Sequence, residues 1–462
     1  MIALTQPGYR RDGLRAGIVH FGVGNFHRSH QAMYVDRLLA LGDTEWAICG
    51  AGLLPGDLAM RDALRRQDLL YTLVERDADA IVDARRIGSI VDYLYAPDDP
   101  AALLGRLASP ETRIVSMTIT EGGYADATHA GPTVFSYLVD ALVARREAGV
   151  PPFTVVSCDN IEGNGGVARA AVIAHAATRD EALAGWIGDN VAFPSSMVDR
   201  ITPTTTAEDR DLVARLFGVD DARPVIAEPF AQWILEDRFT AGRPALERVG
   251  VQLVDDVAPY ERMKLRILNG SHQALAYLGL LAGHEFVHEA IADPVIRRLV
   301  ECYVTREAAP TVGDVPGIDL DAYRASVFHR FGNPAIADTL VRIATDGAER
   351  LRKFVVPVLV DRAERDEAAP LAALLIASFA AVCAAPRLRD AIPDPARDRL
   401  LEAVDRLRRD PATFLDDEGL FGPIAEWASF RRDVARAYAD IESFGVLSAA
   451  DRAIGDAVPP VR

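Results

Sequence analysis

The hydrophobic pattern of this 462-residue chain changes period near Asp255 to Pro259, and that change limits the folds open to it. Before it, short β-like runs alternate with helical patterns. Gly17 to Phe21 reads as a strand, Arg28 to Leu41 as a helix and Trp46 to Ala51 as a second strand. Tyr71 to Val74, Ile114 to Ile119, Phe153 to Ser157 and the stretch from Val191 to Ile201 continue the series, with a helix from Gly166 to Ala176. Strands separated by helix-length segments predict a parallel sheet with crossover helices. After the change, Ala, Leu, Arg and Asp recur at helical spacing to the end, and no strand pattern stands out. One core seldom organises so long a chain. The expected organisation is therefore an α/β Rossmann-type domain over 1–255 followed by a mainly α-helical domain over 256–462, the two sharing a cleft.

Half of the residues are hydrophobic and a quarter are charged, an ordinary globular composition. A net charge of −17 repels a phosphate backbone, and no Lys/Arg cluster on an aromatic-rich stretch offsets it, so a nucleic-acid partner is not expected. Cys49, Cys158, Cys302 and Cys383 are far apart and form no CxxC pair, which suits reduced thiols in a cytoplasm. Met1 to Gly13 is polar with no apolar run behind it, so no signal peptide is expected. The longest apolar run, Leu371 to Ala385, falls short of the roughly 20 residues a membrane span requires and reads as a buried helix.

The first strand runs into Gly22-Val-Gly24-Asn25-Phe26-His27-Arg28. Glycines at the first two positions of a GxGxxG fingerprint allow a tight turn and close approach of a pyrophosphate to a helix N-terminus. His27 stands where the third glycine belongs, which predicts looser packing of helix on strand. An acidic residue for the ribose hydroxyls should follow the second strand, and Asp57 is the candidate. It is equally a candidate N-cap for a helix from Leu58 to Arg65, and a carboxylate there would repel a 2′-phosphate. Asn160, past the strand ending at Ser157, is either a donor to an oxyanion or an ordinary turn residue. Glu121, past the strand ending at Ile119, is either a proton relay or a solvated loop residue.

Lys264, Asn269 and His272 sit at i, i+5 and i+8 in a segment that otherwise reads as a buried helix. At about 100° per residue, Asn269 lies roughly 140° and His272 roughly 80° around from Lys264, so all three can face one cavity. Apolar surroundings penalise an ammonium and lower its pKa, which would suit a base. A lysine snorkelling from an amphipathic helix is the competing reading. His284-Glu-Phe-Val-His288 matches the HExxH pattern of zinc peptidases, the rival from a different class, with Glu301 or Glu307 available downstream as a third ligand. That reading leaves the α/β half unexplained.

Six segments in order resemble the polyol-specific long-chain dehydrogenase/reductase family across nearly the whole chain. They are 17–30, Thr-Ile-Thr-Glu-Gly-Gly-Tyr at 118–124, Ser-Cys-Asp-Asn at 157–160, Phe193 to Pro203 around Val-Asp199-Arg200, Lys264 to His272, and Arg330-Phe-Gly-Asn-Pro334 to Asp346-Gly347. The resemblance implies metal-independent hydride transfer between a secondary alcohol of a polyol and NAD, by a monomer. It implies Lys264 as general base, Asn160 and Asn269 stabilising the alkoxide, His272 orienting Lys264 or a hydroxyl, and Glu121 as relay. Asp199, Arg342 and Thr345 would meet the remaining hydroxyls; Gly22, Gly24, Asn25, Phe26, Arg28 and Asp57 would hold the cofactor. The same-class alternative is a sugar-acid oxidoreductase resembling fructuronate reductase, which would need an extra cation. The segment after Tyr124, Ala125 to Pro132, is shorter than usual in this family, and a histidine sometimes stands where Thr345 does.

Overall fold

The computed structural model describes residues 2–457 apart from positions 79, 126 and 408, and it divides into two compact units, Met1–Ala258 and Pro259–Arg462. The first unit contains the strands β1 (Ile18–Phe21), β2 (Ile48–Gly52), β3 (Tyr71–Asp77), β4 (Ala80–Ile87), β5 (Ile90–Tyr95), β6 (Ile114–Met117), β7 (Thr154–Ser157), β8 (Ser196–Asp199), β9 (Val225–Ala227), β10 (Gln232–Glu236) and β11 (Gln252–Val254).

Five of these strands form an all-parallel sheet in the order β5-β2-β1-β6-β7. Both faces are covered, which is why its strands read as continuous apolar runs. Val19, Phe21, Val115 and Met117 point to one core, whereas Ile18, Ile48 and Ile114 point to the other. Within this sheet the strand order runs 3-2-1-4-5 and reverses between β1 and β6. This is the doubly wound arrangement of a Rossmann-type domain, and ligands bind outside the carboxyl ends at that reversal.

Two small sheets depart from the expected single series. Tyr71 to Val74 belongs to β3, which pairs antiparallel with β4 and parallel with β9, outside the main sheet. The stretch from Val191 to Ile201 yields only the four residues of β8, and these pair antiparallel with β10. The helix expected from Arg28 starts earlier, as Asn25–Ser29, and breaks at His30 before Gln31–Ala40.

The second unit is helical; among its described residues the only β pairing is the isolated bridge between Phe286 and Thr339. Pro370–Ala384 is the apolar run read from sequence, and it is buried from Leu371 to Cys383. A helix so enclosed still needs partners for its first amides. Glu307 provides them, accepting from Leu371 N and Ala372 N at 2.8 Å each. No described helix is long and apolar enough to cross a membrane.

Candidate active site

In the first unit, the chemistry gathers at the carboxyl ends of β1, β6 and β7, three adjacent strands. Gly22 turns the chain there at φ +89°, and a Cβ on it would lie 2.1 Å from Thr118 O, so both the dihedral and the space demand glycine. A Cβ on Gly24 would meet nothing closer than Gly22 O at 3.9 Å, which leaves the surface above it open. The helix Asn25–Ser29 follows immediately, and the amides of its first turn have no carbonyl behind them to bond. A pyrophosphate fits such a turn.

The side chains around the turn serve it from inside. Asn25 donates through Nδ2 to Pro203 O (2.9 Å) and Thr205 Oγ1 (3.1 Å), and its Oδ1 accepts from Arg28 Nη2 (2.6 Å). Arg28 is fully buried, also bonds Arg223 O and lies over the Tyr71 ring. Phe26 is half-buried and stacks on His30. His27 does not loosen the packing: its ring stacks on His20 of β1 with centroids 3.4 Å apart, filling the space that a glycine would leave between helix and strand. His20 in turn bonds Gly22 O at 3.2 Å and Ser116 Oγ at 2.8 Å.

Burial pushes the His20 imidazole down to about 3 and holds His27 well below the ordinary histidine range. An unfolded histidine takes up a proton near pH 6.5 whereas folded His20 resists to about pH 3, so acidification across that window favours the unfolded chain. Stability should therefore fall as the pH drops below about 6.5. Thermal denaturation at pH 7 and pH 5 checks this. His20→Gln, which cannot titrate, should lose less Tm between the two values than the parent; equal losses would place the acid sensitivity elsewhere.

The loops after β6 and β7 are tied together by Asp159, a residue sequence reasoning passed over. Its buried carboxylate accepts from Thr120 N (2.7 Å) and Tyr124 Oη (2.8 Å), and Tyr124 Oη also lies 2.8 Å from Ser157 Oγ. Thr120 sits at φ +61°, a strained conformation for a β-branched residue, so this clamp holds a turn that would otherwise relax. Burial raises the Asp159 carboxyl pKa, and its four hydrogen bonds oppose that rise. The neighbours it fixes, Glu121 and Asn160, are both exposed. Position 126, in the shortened segment after Tyr124, lies outside the described residues.

Asn164 closes the far side of the β7 loop, donating to Asp159 O (3.0 Å) and Ser196 O (2.7 Å). Asp199 ends β8 and is buried. The adjoining Arg200, fully enclosed, bonds Glu75 Oε1 (2.7 Å), Glu228 O and Ser29 O (2.6 Å), so one guanidinium fastens β8 to β3 and to the end of the glycine-turn helix. The helix expected from Leu58 starts three residues earlier, as Pro55–Arg66, so Asp57 is its third residue and not its N-cap, and its Oδ2 accepts from Leu53 N and Leu54 N at 2.9 Å each.

In the second unit, Lys264–Asn269 is not α-helical. Gly270 N bonds back to Leu265 O, five residues away, giving a π turn between the α-helices Ala258–Met263 and Gly270–Ala282. The wider turn advances less per residue than the 100° assumed from sequence, and it brings Asn269 and His272 round toward the face of Lys264. Lys264 and His272 are each 7 % exposed, which excludes a snorkelling lysine. His272 packs on Phe331 at 4.3 Å, and Asn269 Oδ1 is buried with no hydrogen-bond partner among the described residues. Such π turns recur at functional sites, where a helix must present side chains that regular winding would separate.

Arg342 lies apart from this buried group in character: its side chain is 57 % exposed, and Nε is 2.5 Å from Asp338 Oδ1. Thr345 ends the same short helix, Leu340–Ala344, and donates to Val341 O. The HExxH histidines do not share a helix. His284 and Glu285 precede the helix Val287–Ala292, His284 pairs with Asp293 (3.6 Å) and His288 stacks on Phe286. The peptidase geometry, two ligands one helical turn apart, is therefore not formed, and no three metal-ligating side chains converge among the described residues.

The model of the mannitol dehydrogenase Rossmann domain matches residues 16–248, and that of the mannitol dehydrogenase C-terminal domain matches 256–442. Mannitol 2-dehydrogenase of Cereibacter sphaeroides is 44 % identical over 446 residues, covering 92 % of this chain and 93 % of that one. The ternary complex of Pseudomonas fluorescens mannitol 2-dehydrogenase with NAD and D-mannitol is 41 % identical with TM-score 0.86, covering 98 % and 96 % of the two chains. A substrate-free D-sorbitol dehydrogenase is 37 % identical with TM-score 0.89, covering 97 % and 100 %.

Proposed function

Because the chain belongs to the mannitol dehydrogenase family, we propose that it is an NAD-linked polyol dehydrogenase of the cytoplasm, acting as a monomer. It oxidises a secondary alcohol of a mannitol-, arabinitol- or sorbitol-type polyol to the ketose and catalyses the reverse reduction, with residues 1–255 serving the nucleotide and 256–462 the polyol. The observation that carries this reading is the π turn that begins at buried Lys264 and ends at half-buried Asn269.

Lys264 takes the proton of the reacting hydroxyl, and Asn160 and Asn269 donate to the oxygen as charge develops on it. His272 orients Lys264 or a neighbouring hydroxyl, and Glu121 passes the proton to solvent. Asp199, Arg342 and Thr345 bond the other hydroxyls of the chain. These assignments give a polyol the directional partners it needs, and they use fixed donors and a base where other alcohol dehydrogenases use a metal. NAD, when bound, supplies the nicotinamide carbon that accepts or returns the hydride. Gly22, Gly24, Asn25, Phe26 and Arg28 form the turn that holds its pyrophosphate. Asp57 meets the ribose, and its carboxylate disfavours a 2′-phosphate.

The test is a panel of mannitol, sorbitol, arabinitol, xylitol and mannonate with NAD after EDTA treatment, read as NADH absorbance. Turnover of a neutral polyol that survives chelation is expected. Loss of all activity on chelation would defeat the metal-independent mechanism, and turnover of mannonate alone would move the enzyme to sugar acids.

A further inference from the structure

We propose that Tyr93 is a positioning residue for the Asp57 carboxylate, its hydroxyl engaging Asp57 when a dinucleotide is bound and so strengthening the choice of NAD over NADP. The proposal rests on the reading of the first unit as an NAD site.

Strand β5 lies beside β2, with Tyr93 paired to Gly50. The tyrosine ring crosses the end of β2 so closely that a Cβ on Gly50 would lie 2.8 Å from Tyr93 Cδ2. Two residues on, the same position on Gly52 would lie 2.5 Å from Asp57 Cβ, and 3.2 Å from both Asp57 Cγ and Tyr93 Oη. Carboxyl carbon and phenol oxygen are therefore no farther apart than twice that distance, with no side chain on Gly52 to separate them. The two glycines make room for this pair.

The hydroxyl nevertheless has no partner of its own within the described protein. Tyr93 is fully buried, and its Oη has no hydrogen-bond partner among the described residues. Leaving a buried donor unpaired costs stability that phenylalanine would not, so packing alone does not explain a tyrosine here. Burial, with the Asp57 charge adding to it, keeps the phenol protonated and thus a donor. Meanwhile the hydrogen bonds that Asp57 receives from described residues both fall on Oδ2. Oδ1 is the oxygen left for a ribose hydroxyl, and a phenol bonded to the same carboxylate would fix its direction. A 2′-phosphate, which drives the carboxylate away, gains nothing from that bond.

The experiment is fluorescence titration of NADH and NADPH against the intact chain, Tyr93→Phe, Asp57→Ala and the double variant. For Tyr93→Phe the Kd for NADH should rise roughly tenfold, the size of one charge-assisted hydrogen bond, with little change for NADPH and a Tm no lower than the parent's. In the Asp57→Ala background the same change should have no further effect. Unchanged NADH affinity in Tyr93→Phe, an equal loss for both dinucleotides, or an undiminished effect beside Asp57→Ala would each overturn the proposal while leaving the NAD reading intact. A parent chain that binds neither dinucleotide would overturn both.

Discussion

Replacing Lys264 with alanine is expected to lower kcat for polyol oxidation roughly 10³-fold, the middle of the range for a positioned acid–base group. Binding of NADH should stay within about twofold of the parent, because the change removes a proton acceptor and no part of the nucleotide turn. The expectation follows from where the lysine is. It is buried at the start of a π turn, out of reach of bulk solvent, so bulk water does not take over the proton transfer when its amine is removed. Lys264→Arg should be equally inactive, since a guanidinium does not release its proton in a protein. Small primary amines added to Lys264→Ala should restore part of the rate. The measurement is steady-state kinetics at saturating NAD beside NADH titration; a variant that keeps more than about a tenth of the parent rate near neutral pH would remove Lys264 from the role of base.

The second large effect is on folding. Arg200→Met is expected to destabilise the first unit by about 3 kcal/mol, the low end for breaking a buried ion pair, because Glu75 keeps Arg37 as a remaining partner at 4.0 Å. The carbonyls of Glu228 and Ser29 lose their donor at the same time. For a unit of this size that amounts to a fall in its Tm of roughly 6–12 °C. Arg200→Lys should recover little, since an ammonium cannot span Glu75, Glu228 and Ser29 together. A calorimetric or dichroism melt checks this, and a shift below about 2 °C would mean that the pair contributes nothing net. Because Ser29 ends the helix behind the glycine turn, dinucleotide affinity should weaken with the fold.

Much of this was legible because the relevant signals are local. The glycine turn, the end of the strand before Asn160 and the switch to helical periodicity each lie within a few residues, and the fold class followed from their order. What escaped was set by partners distant in sequence. Tyr71 to Val74 looks like any other strand of the series, and only the antiparallel partner β4 and the distant β9 draw it out of the main sheet. Asp159 stood inside a motif already singled out, yet its clamp on Thr120 and Tyr124 depends on a loop about 35 residues earlier. His27 was read as a missing glycine; that a second histidine two residues before Gly22 would stack on it has no signature beyond the pair itself. Lys264 to His272 reads from sequence as an ordinary helix, and the structure winds its first part as a π turn. Nothing in Leu-Arg-Ile-Leu announces a π turn, and all four suit an ordinary helix.

That winding has a consequence for how this helix can change. A π turn accommodates one residue more than regular coiling over the same stretch, so the segment from Ala258 to Ala282 carries a surplus residue that a shorter, smoother version would shed. Regular coiling of the same residues would turn Lys264 away from Asn269 and everything after it, because each residue would again advance about 100°. Drift toward a sturdier, regularly wound helix and retention of the chemistry thus pull against each other in this one turn, and its winding becomes as strict a requirement as the identity of the lysine.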